Sequence, residues 1–227
     1  MTKELDVRII ALQGSPRLRG NTNTVLEMVM AAARSEGART ETVQLSRLKN
    51  RTGCLECFAC QKEANHPGCA VKDDLQAVID KVMKADLIVW ATPVFCWSPA
   101  WPLKMAMDRL YCTFKFGKDG QFKSLLEGRK MAAVITAGGG SDDGADLITE
   151  TCKRIAKFSK TKWLGAMVVA NATAPKALRE DRKLAARARA FGRRLVQVGS
   201  GASRSYSPGS RKHGRSACAR DAHAASQ

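Results

Sequence analysis

Four cysteines fall within sixteen residues, spaced Cys54-x2-Cys57-x2-Cys60-x8-Cys69. In a reducing compartment such a cluster points to metal or redox chemistry rather than structural disulfides. Cysteines three apart in a tight loop can turn several thiolates toward one centre, and a more distant fourth can close a tetrahedral set. Three close cysteines and a remote one suit cubane [4Fe–4S] ligation, whereas zinc ribbons use two separated pairs. A cluster, a zinc ion and no metal all stay open. His66, inside the last gap, is either an alternative ligand or a surface loop residue.

A second polar set occupies residues 14–24, Gly-Ser-Pro-Arg-Leu-Arg-Gly-Asn-Thr-Asn-Thr. It joins an apolar run to a segment of helical periodicity, where free amides and the helix dipole favour an anion. Gly14 and Gly20 permit close backbone approach, Ser15, Asn21, Thr22 and Thr24 supply donors, and Arg17 can add a charge-assisted bond. This is neither the G-x-G-x-x-G dinucleotide fingerprint nor a Walker A loop. The plainer alternative is a strand-to-helix turn with Thr22 as N-cap. No Ser-His-Asp or paired-carboxylate constellation accompanies it, and Asp142, Asp143 and Asp146 sit where a helix start favours acids.

The elements that must position these residues alternate along the chain. Residues 7–13, 40–45, 87–91, 130–136 and 163–170 read as strands. Residues 22–35, a segment capped by Asp73-Asp74, and 99–110, 145–158 and 176–198 read as helices, with Pro102 required in a first turn. Five strands alternating with five helices predict a doubly wound parallel sheet with right-handed crossovers. Gly138, Gly139 and Gly140 end the fourth strand.

Three ordered motifs over roughly residues 6–199 carry a family resemblance: Gly14-Ser-Pro-Arg-x-x-Gly-Asn-Thr22, then Thr92-Pro93-Val94-Phe95, then Lys104-x-x-x-Asp108-Arg109. The chain resembles the NAD(P)H-dependent FMN reductase family of flavodoxin-like proteins. Its cysteine spacing looks like that of the iron-sulfur flavoprotein branch. The resemblance implies a five-stranded sheet of order 2-1-3-4-5 and FMN bound non-covalently, the cofactor rather than side chains carrying the chemistry. It implies that Ser15, Arg17, Asn21 and Thr22 hold the flavin phosphate with Thr24 beside them. Pro93, Val94, Phe95 and Trp97 would flank the isoalloxazine, and Gly138, Gly139 and Gly140 its other edge. Phe95 stands where the family usually has Tyr, which removes a hydroxyl and leaves stacking intact. Lys104 and Asp108-Arg109 would fix the loop and helix. Electrons would pass from NAD(P)H, or from an acidic carrier such as ferredoxin, to the [4Fe–4S] centre of Cys54, Cys57, Cys60 and Cys69 or to an external acceptor, in a homodimer or homotetramer. Two further readings stand beside this: a cluster-free NAD(P)H:FMN or quinone reductase, and a flavin-binding interaction module without turnover.

The net charge of +17 in 227 residues fits a solvated basic face, a dock for an acidic carrier, or nucleic acid, though no nucleic-acid module is recognisable. No run is apolar enough for a membrane span and no signal-like segment opens the sequence, so the cytoplasm is expected. Cys96 could touch a flavin ring or, with Cys112 and Cys152, serve as small core filler. Residues 1–199 form the expected flavin-binding domain, with the cysteine loop at 53–70. Residues 200–227, poor in apolar side chains, are expected to be a disordered basic tail, with no role for Cys218.

Overall fold

Alternation of apolar residues along each strand decides how the layers assemble. In a computed structural model that describes residues 7–117, 120–172 and 174–199, the first strand, β1 (Arg8–Gln13), sends Ile10 and Leu12 to one face and Ile9 and Ala11 to the other. It pairs in parallel with β2 (Arg39–Gln44) on one side and β3 (Leu87–Phe95) on the other. The next strand in the sheet, β7 (Lys130–Thr136), pairs with β3, and β8 (Lys162–Val169) closes the order β2-β1-β3-β7-β8. This is the doubly wound sheet expected from the sequence. The 200–227 tail lies outside the described residues.

Each face is covered by helices whose apolar stripes match it. On one, α2 (Asp74–Val82), α3 (Trp101–Arg109) and α4 (Ala145–Phe158) pack Leu75, Leu103 and Ile148 onto Trp90, Met131 and Ile135. On the other, α1 (Asn21–Ser35) and the C-terminal helices pack Val25, Val29, Leu184 and Leu195 onto Val89 and Val134. Burying each such side chain contributes about 1.5–3 kcal/mol.

Four differences separate the structure from the sequence reading. The last helix is two, α5 (Pro175–Glu180) and α6 (Arg182–Gly199), because Asp181 leaves helical geometry and its carboxylate accepts from the Lys183 and Leu184 amides. That is an N-cap, which restarts a helix. Asp73 occupies the N-cap position of α2 but makes no side-chain cap there, because its carboxylate is bound to Arg109. Finally, β3 runs on past residue 91 and folds back through β4 (Ser98–Pro99). A small hairpin of β5 (Phe114–Phe116) and β6 (Phe122–Ser124), which the sequence reading passed over, precedes β7.

Where α6 crosses α1, Gly192 lets the backbones meet: a Cβ there would lie 2.4 Å from the Val29 carbonyl oxygen and 2.8 Å from Ala32 Cβ. Gly192→Ala is therefore expected to destabilise by about 1–2 kcal/mol, overpacking outweighing the gain in helix propensity. Thermal unfolding followed by circular dichroism should show a fall of several degrees.

Candidate functional site

Parallel strands put the C-terminal ends of β1, β3 and β7 side by side, and three of the sequence-selected segments leave the sheet there. After β1 the chain turns through residues 14–20, with the Gly20 amide donating to the Arg17 carbonyl. The Gly14 amide donates to Ala91 O, and a Cβ on Gly14 would lie 2.5 Å from Leu103 Cβ. The close approach that Gly14 provides is thus to α3. Helix α1 starts after Gly20, a residue with no side chain to cap it, so the cap position itself satisfies none of the first-turn amides. Thr22 is therefore inside the helix and not its N-cap.

The polar side chains of the loop divide into two groups. Ser15 Oγ accepts from the Arg17 amide at 3.2 Å, and the Arg17 side chain is exposed at the mouth. Thr22 Oγ1 instead meets Thr136 Oγ1 at 2.7 Å in the interior, Thr24 Oγ1 donates to Gly20 O, and Asn21 Nδ2 donates to Ala172 O. Thr22 and Asn21 brace the helix start against β7 and the segment after β8, and Thr24 closes on its own first turn, leaving the amides, Ser15 and Arg17 available to an anion. Gln13 is fully buried behind the loop; its Oε1 accepts from the Ser15 amide while Nε2 has no partner. A buried donor with nothing to bond is costly. An uncapped helix start, a cation at the mouth and this donor together fit an anionic group. Ser46, which no sequence signal singled out, reaches the same loop by donating to Ser15 O.

At the end of β3, Val94 pairs with Pro99 and Phe95 with Ser98 around Cys96 and Trp97, whose φ values are 47° and 57°. Both turn residues are left-handed, as in a two-residue hairpin turn, yet neither is glycine. Such conformations cost about 1 kcal/mol or more each and persist only where neighbours hold them. Here Ala100 N donates to Thr92 Oγ1, and Trp97 Nε1 donates to Asp143 Oδ1 at 2.7 Å. Gly144 permits this closeness: its φ is +92° and a Cβ would lie 2.9 Å from Trp97 Cα. Pro93 and Val94 are half-buried, whereas Phe95 and Trp97 present 47% and 62% of their surface, unlike core residues.

Gly138, Gly139 and Gly140 follow β7, with Gly139 O accepting from Asn171 N. A Cβ on Gly139 or Gly140 would run into the carboxylates of Asp143 or Asp142. Asp146 lies in the first turn of α4 and accepts from Gly144 N, the helix-start role expected of it.

The cysteines form a separate site. Cys54, Cys57, Cys60 and Cys69 all line one cavity of about 350 Å³, counting the space at its mouth, together with Phe58, Arg109, Tyr111 and Cys112. Glu56 and Phe58 are left-handed on either side of Cys57, which turns the C-x2-C-x2-C run around the cavity. The Glu56 amide donates to Cys54 Sγ and Gln61 Nε2 to Cys60 Sγ. Among the described residues no three His, Cys, Asp or Glu side chains are gathered closely enough to hold a metal ion. By donor type, four thiols suit zinc or an iron–sulfur core, and their placement around the cavity distinguishes neither. His66 does not line the cavity; its Nδ1 accepts from Gly68 N within the loop.

Two basic residues that sequence reasoning did not attach to the cysteines hold this loop. Arg109, 1% exposed, forms a two-pronged ion pair with Asp73 and donates to Thr52 O and Val71 O. Burial works against its charge, but the bond to Asp73 and the neighbouring Cys69 sulfur hold the guanidinium above its ordinary pKa. Lys115 Nζ donates to Cys60 O at 2.7 Å and to Pro67 O at 3.1 Å. Burial pushes the Cys60 thiol up, with the Gln61 bond and Lys115 opposing. Burial likewise raises Cys112, and raises Cys152 to about 12, so those two thiols stay protonated. Lys104 and Asp108 form an exposed pair on α3. The structuring roles expected of Lys104, Asp108 and Arg109 match these bonds.

A family model described as NADPH-dependent FMN reductase matches residues 7–175. The chain belongs to this family. It is 33% identical over 103 residues to an iron-sulfur flavoprotein of Methanocaldococcus jannaschii, covering 45% of this chain and 51% of that protein. It is 30% identical over 145 residues to a second from the same organism, covering 64% and 68%. The chain thus spans about half the length of the first. Among solved structures it resembles an NAD(P)H:quinone oxidoreductase from Methanothermobacter marburgensis, with a TM-score of 0.62 at 15% identity and coverage of 85% and 98%. An FMN-dependent NADH-azoreductase from Bacillus anthracis gives 0.59 at 14%, covering 83% and 99%. Both likenesses establish the flavodoxin-like fold. No helix among the described residues is long and apolar enough to cross a membrane.

The two kinds of ion pair predict unlike mutational costs. Arg109→Met strands the Asp73 carboxylate, which is 6% exposed, and should cost about 3–5 kcal/mol in urea denaturation. Lys104→Ala removes a solvent-exposed pair and should cost about 0.5 kcal/mol or less.

Proposed function

We propose that the protein is an FMN-dependent oxidoreductase that also carries a [4Fe–4S] cluster on Cys54, Cys57, Cys60 and Cys69. The observation that carries the flavin half is the uncapped start of α1 beside Ser15, Arg17 and the partnerless Gln13 Nε2. An FMN phosphate would be held there by the first-turn amides, Ser15 and Arg17, with Asn21, Thr22 and Thr24 fixing the helix that presents them. Pro93, Val94, Phe95 and Trp97 would border the isoalloxazine on one side and Gly138, Gly139 and Gly140 on the other. Bound FMN supplies hydride acceptance and electron transfer, and a bound cluster supplies single-electron transfer.

The chain's own residues do the positioning. The Trp97–Asp143 bond holds the strained turn against the glycine segment, and Phe95 and Trp97 offer stacking faces. The cysteine loop is held by Arg109 and Lys115. NAD(P)H is the reading for the donor. An acidic carrier such as ferredoxin would suit a chain of net charge +17, whose Arg182, Lys183, Arg189 and Arg193 lie exposed on α6. Leu55, Phe58, Phe116 and Phe158 are exposed and favour self-association into a homodimer or homotetramer. The cytoplasm, which keeps thiols reduced, suits the seven cysteines among the described residues, all of them free.

One observation favours a cluster-free reductase instead: the sulfurs surround the cavity without being gathered for a metal ion. Protein purified anaerobically separates the two readings. The cluster reading expects about one FMN and about four iron with matching sulfide per chain, and flavin bleaching on adding NADPH. Flavin without iron would leave the plain reductase, and no flavin reduction by NADPH, NADH or reduced ferredoxin would remove the enzyme.

A further inference from the structure

Two buried basic side chains, Arg109 and Lys115, stand beside the cysteines, and burial pushes the Lys115 ammonium below its ordinary pKa. Arg109 and Lys115 are 1% and 5% exposed. Arg109 is paired with Asp73. Lys115 makes its two hydrogen bonds to carbonyl oxygens, those of Cys60 and Pro67, and no carboxylate among the described residues forms an ion pair with it. Glu63 acts on it only at a distance, and Glu63 is exposed. Carbonyl dipoles solvate an ammonium in part, but buried charges in folded proteins are as a rule paired or bound to a ligand. The groups that act on Lys115 and can carry negative charge are Cys60, Cys112, Glu63 and Cys69, in that order, and Cys112 is held protonated by burial.

We infer that Lys115, with Arg109 beside it, is the counter-charge of an anionic centre held by the four cysteines, and sets how readily that centre accepts an electron. This rests on the cluster reading above. Four thiolates outweigh the positive charge of an iron–sulfur core, so the centre is anionic in both oxidation states. Reduction adds one electron, breaks no bond and makes the centre more negative by one charge. A fixed cation beside such a centre in a low-dielectric site would stabilise the reduced form more than the oxidised one. Lys115 is well placed for this because β5 anchors its backbone while its Nζ is tied to Cys60 and to the Pro67 carbonyl two residues before Cys69. It is a positioning and charge-setting residue, and it need not touch a substrate.

The test uses the full chain, purified anaerobically, as wild type and as Lys115→Met, Lys115→Gln and Lys115→Arg. Iron, sulfide and FMN are quantified, and the midpoint potential of the centre is read by redox titration with electron paramagnetic resonance. FMN content reports whether each variant is folded. The inference expects Met and Gln, which lack the charge, to move the midpoint to more negative potential, with Arg close to wild type. Loss of iron from Met and Gln but not from Arg would support it equally. A Met variant with full iron and an unmoved midpoint would overturn it, as would loss of iron from all three variants, because side-chain fit rather than charge would then matter. Wild type free of iron and sulfide would show the failure of the cluster reading itself, before any variant is compared, and the inference would fall with it.

Discussion

Parallel pairing is the constraint on which both sites depend. Because β1, β3 and β7 run in the same direction, each must be reached by a crossover, and every strand-to-helix loop that matters leaves from the same edge. With β1 between β2 and β3, the helices after β1 and β3 go to opposite faces. Their first turns therefore lie on opposite faces of one sheet edge, the place where doubly wound sheets bind ligands. The N-terminus of α1, the Cys96–Trp97 turn and the Gly138–Gly140 segment are neighbours for that reason alone. No side chain had to be recruited from a distance.

Helix α3 joins this edge to the cysteine cavity. Its start is held by the Ala100–Thr92 bond and packs Leu103 on Gly14, and its last residue is Arg109. Nine residues of helix rise about 13 Å, so one rigid element fixes the spacing of the two sites. The buried Arg109–Asp73 pair then ties both ends of the cysteine loop to that helix through Thr52 and Val71. Removing either charge alone would leave the other stranded in the interior, and this keeps the loop in one register.

The strand segments were legible in the sequence because continuous apolar runs between polar caps leave little choice in a sheet covered on both faces. The phosphate-loop position was legible for the same reason, since it lies where the period changes from strand to helix. Individual side-chain roles were less so. Thr22 reads as a cap or a phosphate donor, but its hydroxyl faces Thr136, 114 residues away in sequence. Asp73 reads as a helix cap, and a buried guanidinium 36 residues on claims its carboxylate instead. Lys115 was not singled out in the sequence; the β5–β6 hairpin turns it inward, and the pattern Phe-Lys-Phe, a glycine-bounded turn, Phe-Lys-Ser was the signal for that hairpin. Long-range partners decided these cases, and a single sequence does not list them.

The proposed flavin site depends on an anion held at the start of α1. Its most direct test is calorimetric titration of flavin-free protein with FMN and with riboflavin, which differ only in the phosphate. FMN is expected to bind at least about a hundredfold more tightly, as several charge-assisted bonds require, with the advantage shrinking as salt is raised. Equal affinities for the two flavins would contradict it.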